Sequence, residues 1–173
     1  MRRAAVLSVA LLALAGACRK KAVPLTPNLA KENKVAVRPV TLFFETRDML
    51  LGGAQSNLAL PENPAGALPM VMRELVKSSG VFPRDCVVRA TFLLPDGTAF
   101  VDLGGPTLTQ GWGTGSHEEL MAVYSIVSTV TTNFPEVKRV RILVNGEPAE
   151  TLAGHISLRR SLTPMPSLLR PVG

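Results

Sequence analysis

The run Gly111-Trp112-Gly113-Thr114-Gly115 leads into an apolar-periodic stretch, the arrangement in which a glycine-rich loop and a helix N-terminus together cradle a phosphate. Composition argues against that chemistry here. No lysine follows the glycines, and Glu118 and Glu119 put negative charge where the anion would sit, so the run reads as a surface loop before a helix. The histidines, His117 on the first turn of that helix and His155 after the last apolar stretch, lie in no metal-binding spacing, and two ligands alone make a weak zinc site. Cys86 opens an apolar run with neither histidine near it in sequence, which makes it a small buried hydrophobe and not a nucleophile. Asp96 belongs to a turn and Asp102 sits near a strand end, so they form no acid pair. Arg139, Arg141, Arg159 and Arg160 read as solvated charges; no aromatic residues interleave with them as nucleic-acid binding would require. No catalytic residue, cofactor site or metal site is expected.

The start of the chain carries an address. Arg2 and Arg3 form a positive region, residues 4–14 an apolar one too short to span a bilayer, and the small residues Ala15-Gly16-Ala17 precede Cys18. This signal-peptide pattern resembles a bacterial lipobox, departing from it at Ala15, where leucine is usual. On that reading Cys18 is lipidated and becomes the mature N-terminus; the alternative is a plain secretory peptide cleaved near Ala17. With Cys18 acylated, Cys86 is a lone thiol. With Cys18 free, a bridge between the two becomes possible in an oxidising compartment.

Residues 19–38 mix lysine, proline, asparagine and small side chains without period and read as a basic flexible tether. Its Arg19-Lys20-Lys21 cluster would lie beside lipid headgroups, where each basic residue adds about 1 kcal/mol of attraction to an anionic surface. Arg19 replaces the aspartate that marks inner-membrane retention in lipoproteins. The expected location is therefore the periplasmic side of the outer membrane in a two-membrane cell, and otherwise the outer face of the cell membrane.

The 173 residues are enough for one domain plus tails, and because only 5% are aromatic the core must be filled by aliphatic side chains. The net charge of +6 is mildly basic and not diagnostic. The domain is placed at residues 39–158, with a proline-rich flexible tail at 159–173.

Within it, Val40, Leu42 and Phe44 alternate with Thr41 and Phe43, a strand apolar on both faces and so placed inside a sheet. Residues 46–60 are read as a small hairpin or loose excursion. Asn63-Pro64 caps a helix through Leu68, Val71, Met72 and Leu75, interrupted at Pro69 and ended by Gly80. Residues 87–94 and 99–103 form a hairpin about Asp96-Gly97. Ser116 and Glu119 make an S-x-x-E capping box for the main helix, with Leu120, Val123, Tyr124, Val127 and Val130 inward and Ser125, Ser128, Thr129 and Thr132 outward. Pro135 ends it. Val140, Ile142 and Val144 alternate as a strand, Asn145-Gly146 turns, and residues 147–152 return. The class is α+β: a two-layer sandwich with two helices on one face of a mixed or antiparallel sheet.

The assembled residues resemble the GerMN domain of spore-germination, sporulation and other envelope lipoproteins. The matching stretches are Val40-Thr41-Leu42-Phe43-Phe44, Asp96-Gly97-Thr98-Ala99-Phe100-Val101-Asp102-Leu103, the Gly115 and Glu119 helix start, Val140-Arg141-Ile142-Leu143-Val144-Asn145-Gly146, and Thr151-Leu152-Ala153-Gly154-His155. The resemblance implies a fold similar to ring-building modules, no enzymatic activity and a role in envelope or sporulation complexes. His155 matches a terminal Gly-His of the family, which implies a local hydrogen bond closing the domain. The expected partners are membrane lipid through Cys18, together with an envelope protein or a second copy. A peptidoglycan or anionic wall-polymer binding module is the alternative.

Overall fold

The computed structural model describes residues 34–171. The signal segment, Cys18 and most of the tether lie outside the described residues, so the lipidation and the Cys18 to Cys86 bridge find no test there.

Two long strands open the fold. β1 (Val35–Glu45) pairs antiparallel with β2 (Leu51–Pro61), residue against residue from Val35 opposite Pro61 to Glu45 opposite Leu51. β1 thus starts before Pro39, and the stretch read as a loose excursion is a regular strand. Gly52, Gly53, Gln55, Ser56 and Asn57 have poor strand propensity, but an eleven-residue partner supplies the ladder that propensity does not.

α1 (Pro64–Ser78) starts as its sequence requires. The Asn63 side chain accepts from the Gly66 N–H at 2.6 Å, Pro64 occupies the first turn, and Leu68, Val71, Met72 and Leu75 are fully buried. Pro69 lies inside the helix and does not end it. The C-terminal cap is Ser79 in an extended conformation, its N–H donating to the Leu75 carbonyl, so Gly80 does not serve as the left-handed cap.

The second sheet has the order β3-β4-β5-β6. β3 (Val87–Leu93) and β4 (Thr98–Gly104) form the expected hairpin, with Gly97 at φ 80° in the turn. β4 and β5 (Arg139–Val144) run parallel, and the crossover between them carries α2 (Pro106–Gln110) and α3 (Ser116–Asn133). A short helix therefore occupies part of the loop between residues 104 and 115. Asn145 (φ 52°) and Gly146 (φ 83°) make the tight turn into β6, which spans only Glu147–Pro148 and not the longer return expected, since proline ends the ladder there. The class is α+β with mixed and antiparallel pairing, its strands divided between two sheets.

Ala99, Val101, Leu103, Val140 and Ile142 line the inner face of the four-stranded sheet. α1 packs against β3 and β2, and α3 against β1, β5 and α1. Being enclosed by these elements, α3 is buried on almost every side: Ser125, Ser128 and Thr129, expected to face solvent, are all buried. Thr129 and Asn133 serve β1. The Phe43 N–H donates to Thr129 Oγ1 at 3.0 Å; the Thr41 N–H donates to Asn133 Oδ1 at 2.9 Å, and Asn133 Nδ2 returns a bond to the Thr41 carbonyl at 2.7 Å. A helix side, not another strand, thus closes this edge of β1.

Residues 159–171 are also part of the fold. Leu162 exchanges both backbone hydrogen bonds with Val140, at 2.7 and 2.8 Å, and the Arg170 N–H donates to the Leu51 carbonyl at 2.9 Å. The segment set apart as a flexible tail therefore borders both sheets. Its prolines remove donors but leave Leu162, Met165, Leu168 and Leu169 to pack on the core.

Candidate functional site

Among the described residues, the side chains most capable of chemistry or recognition gather in three polar clusters and a groove. The first cluster is at the start of α3. Gly115 is the N-cap and no side chain bonds there, so Ser116 and Glu119 do not form a capping box. Glu118 folds over the helix start: its Oε2 lies 2.6 Å from where a Cβ on Gly115 would stand. A carboxylate therefore occupies the place of a phosphate, as the sequence implied.

Glu119 turns the other way, inward, and is 0% exposed. Its Oε1 accepts from the backbone N–H groups of Leu152 (2.7 Å) and Ala153 (2.8 Å), and its Oε2 from those of His155 (2.7 Å) and Ile156 (3.1 Å). Gly154, at φ 101°, lets the loop curl so that these donors converge. Burial pushes the Glu119 carboxyl up, but the four backbone donors outweigh it and hold the group below the usual glutamate range. The His155 ring joins through Nδ1, 3.2 Å from Oε2, which is the local closing contact expected of it. His117 lies apart, its Nε2 2.7 Å from Glu45 Oε1. The two histidines thus serve separate carboxylates.

The second cluster separates the two aspartates. Asp96 Oδ1 accepts from the Thr98 N–H at 2.9 Å and its Oδ2 from Arg139 at 2.6 Å; these bonds to Thr98 and Arg139 hold its carboxyl below the usual aspartate range. Asp102, two residues before the end of β4, accepts from Arg89 at 3.2 Å and from the Gly146 N–H at 2.8 Å, securing the turn into β6. The third cluster joins two basic residues of the second half: Arg141 donates to the Arg159 carbonyl, and Arg159 donates to Glu150 at 2.6 Å. Arg139, Arg141 and Arg159 thus make their bonds at the surface, and Arg160 is exposed, as solvated charges are expected to be. Among the described residues no group of three potential metal ligands occurs.

The groove lies between the second half of α1 and the start of β3. It is a cavity of about 810 Å³ with Val76, Phe82 and Val88 on its floor and Arg73, Lys77 and Arg84 around it. Cys86 also lines it as a free, buried thiol that burial, with the Asp85 charge beside it, pushes up to about 12, which keeps it protonated and inert. Sequence reasoning did not single out this groove. Its one local signal was the pair Arg73 and Lys77, four residues apart on a helix.

The model of the Germane family, described as sporulation and spore germination, matches residues 32–150. The chain belongs to the Germane family. Solved structures with GerMN domains share its fold. The tandem GerMN domains of the sporulation protein GerM from Bacillus subtilis align at TM-score 0.50 and 19% identity, over 75% of this chain and 46% of that one. A candidate lipoprotein from Clostridium perfringens aligns at TM-score 0.53 and 13% identity, over 79% of this chain and 93% of that one. No curated protein matches the sequence. In Germane terms the matched span runs from just before β1 to Glu150, so it contains Glu119 but stops short of the loop that Glu119 holds. No described helix of this Germane chain is long and apolar enough to cross a membrane.

Proposed function

We propose that this Germane-family chain is a non-catalytic, lipid-anchored protein of the cell envelope, in which Cys18 holds the membrane, residues 19–34 give reach and the domain makes protein contacts in a sporulation or germination assembly. The observation that carries this reading is apolar surface on strands. Val37 is 71% exposed on β1, and Val87 and Phe92 on β3 are 55% and 56% exposed. We take these side chains as the surface that a partner covers. The acids and bases described above are meanwhile committed to loops, turns and one another, which leaves no convergent acid, base and nucleophile to propose for catalysis. The Clostridium perfringens structural relative is described as a candidate lipoprotein, in line with an anchor at Cys18.

The test is chemical cross-linking of the full chain in intact envelopes, with intact-mass measurement of the membrane-extracted protein. A stoichiometric protein partner or a ladder of copies, on a chain carrying acyl groups at Cys18, supports the reading; an unacylated monomer with no cross-linked partner refutes it. A second reading, binding of peptidoglycan or an anionic wall polymer, is favoured by the basic side chains around the α1 and β3 groove. Co-sedimentation with purified wall in place of a protein partner would establish it.

A further inference from the structure

The groove between α1 and β3 joins three features that the described residues leave open in whole or in part. The first is an open edge. β3 ends the order β3-β4-β5-β6, so among the described residues one row of its backbone donors and acceptors has no strand partner. The second is an apolar floor, on which Phe82 and Val88 are buried but line the cavity. The third is unbalanced charge: among the described residues Arg73, Lys77 and Arg84 enter no ion pair. The nearest carboxylates in sequence are engaged elsewhere, Glu74 accepting from Ser78 at 2.9 Å and Asp85 from the Thr107 N–H at 2.8 Å. Arg73 and Lys77 stand four residues apart on α1, where like charges repel. An anionic occupant would relieve that repulsion.

We propose that the groove receives an extended acidic segment of a partner protein, which lies along the start of β3, sets apolar side chains on Val76, Phe82 and Val88, and pairs its carboxylates with Arg73, Lys77 and Arg84. This rests on the reading of the domain as a protein-contact module and names the surface and the chemistry of the partner. A peptide backbone matches the free row on β3, which a lipid tail or a polyol-phosphate polymer does not. A second copy is a poor occupant, since β2 carries no acidic residue, β1 only Glu45 at its end, and β6, with Glu147, spans two residues and ends in a proline. The bulge between Val88 and Ala90 interrupts the edge, so the ladder is short and the charge pairs carry much of the recognition. Binding therefore weakens as salt rises.

The experiment uses the full chain and two short synthetic peptides, one alternating glutamate with valine and one alternating lysine with valine. Affinity is read by fluorescence anisotropy and location by amide hydrogen exchange. The acidic peptide is expected to bind saturably and protect amides at the start of β3. The double change Arg73→Glu with Lys77→Glu, and Arg84→Glu made separately, should each weaken binding, by about tenfold or more for the double change, while the exposed positions leave the unfolding transition in place. Absence of binding, equal binding of the lysine peptide, protection elsewhere, unchanged affinity in the double variant, or preference for anionic phospholipid vesicles or purified wall polymer overturns the proposal. If the charge-reversed chain keeps its envelope partner, the groove assignment falls and the contact module stands; if the unaltered chain cross-links to nothing, both fall.

Discussion

Glu119 on α3 accepts the backbone N–H of His155 at 2.7 Å, across thirty-six residues of sequence, and this bond with its three companions ties the central helix to the loop that follows β6. A carboxylate receiving several backbone donors is a strong acceptor set, since hydrogen bonds to charged groups are worth about 1.5–3 kcal/mol net. Glu119→Ala should therefore lower stability by about 3 kcal/mol or more, read as a fall in the urea midpoint. His155→Ala keeps the backbone donor and loses only a ring contact that is part exposed, so its cost should stay within about 1 kcal/mol. Equal losses for the two variants would mean that the ring, not the backbone, holds the loop.

The same carboxylate sets a pH dependence. Its value in the folded chain lies below that in the unfolded chain, because the backbone donors outweigh burial. The stabilisation is then complete above the unfolded glutamate value of about 4.3 and drains away as pH falls through that value toward the lower folded one. Unfolding curves at descending pH should show a loss beginning near the unfolded value. Glu119→Gln should be less stable at neutral pH and flatter across the acid range, and an unaltered acid slope in that variant would assign the dependence to other carboxylates.

The parts of this fold legible in the sequence were those written in local chemistry. Asn63-Pro64 began α1, Gly97 and Asn145-Gly146 turned the hairpins, and the alternation of Val140 and Ile142 set the inner face of β5. The failures came where distant chain supplied the partner. β2 has weak strand residues but a full-length neighbour in β1, and Ser125, Ser128 and Thr129 are polar yet sit on a helix enclosed by β1, β5 and α1. Glu119 fitted a capping spacing, but the donors of the loop at residues 152–156 lay beyond any local pattern. The groove was hidden for a similar reason, since Arg73 and Arg84 come to line one cavity only when α1 packs on β3.

Thr129 tests the closure of β1 by a helix side. Its hydroxyl accepts the Phe43 N–H, and the residue is 0% exposed, so Thr129→Val keeps the shape while leaving a backbone donor without its acceptor. The expected cost is about 1–3 kcal/mol. Faster amide exchange should appear at Phe43 and spare the β4–β5 ladder, which α3 supports by packing and not by hydrogen bonds to Thr129. Acceleration spread evenly over both sheets would show global loosening instead.

Removing residues 159–173 tests whether the last segment belongs to the domain. Leu162 exchanges two backbone hydrogen bonds with Val140 on the side of β5 where the two-residue β6 leaves it uncovered, and the Arg170 N–H donates to the Leu51 carbonyl at the start of β2. Deletion would expose those backbone groups and strip Leu162, Met165, Leu168 and Leu169 from the core surface. Net hydrogen bonds of about 1 kcal/mol each and partial burial of the apolar side chains together put the loss on the order of 3–5 kcal/mol. Limited proteolysis of the intact chain should spare the bonds around Leu162, because a segment paired with β5 cannot enter a protease cleft without first unpairing. Rapid trimming back to Leu158 with no change in unfolding midpoint would show that the contacts of Leu162 and Arg170 contribute nothing to holding the two sheets.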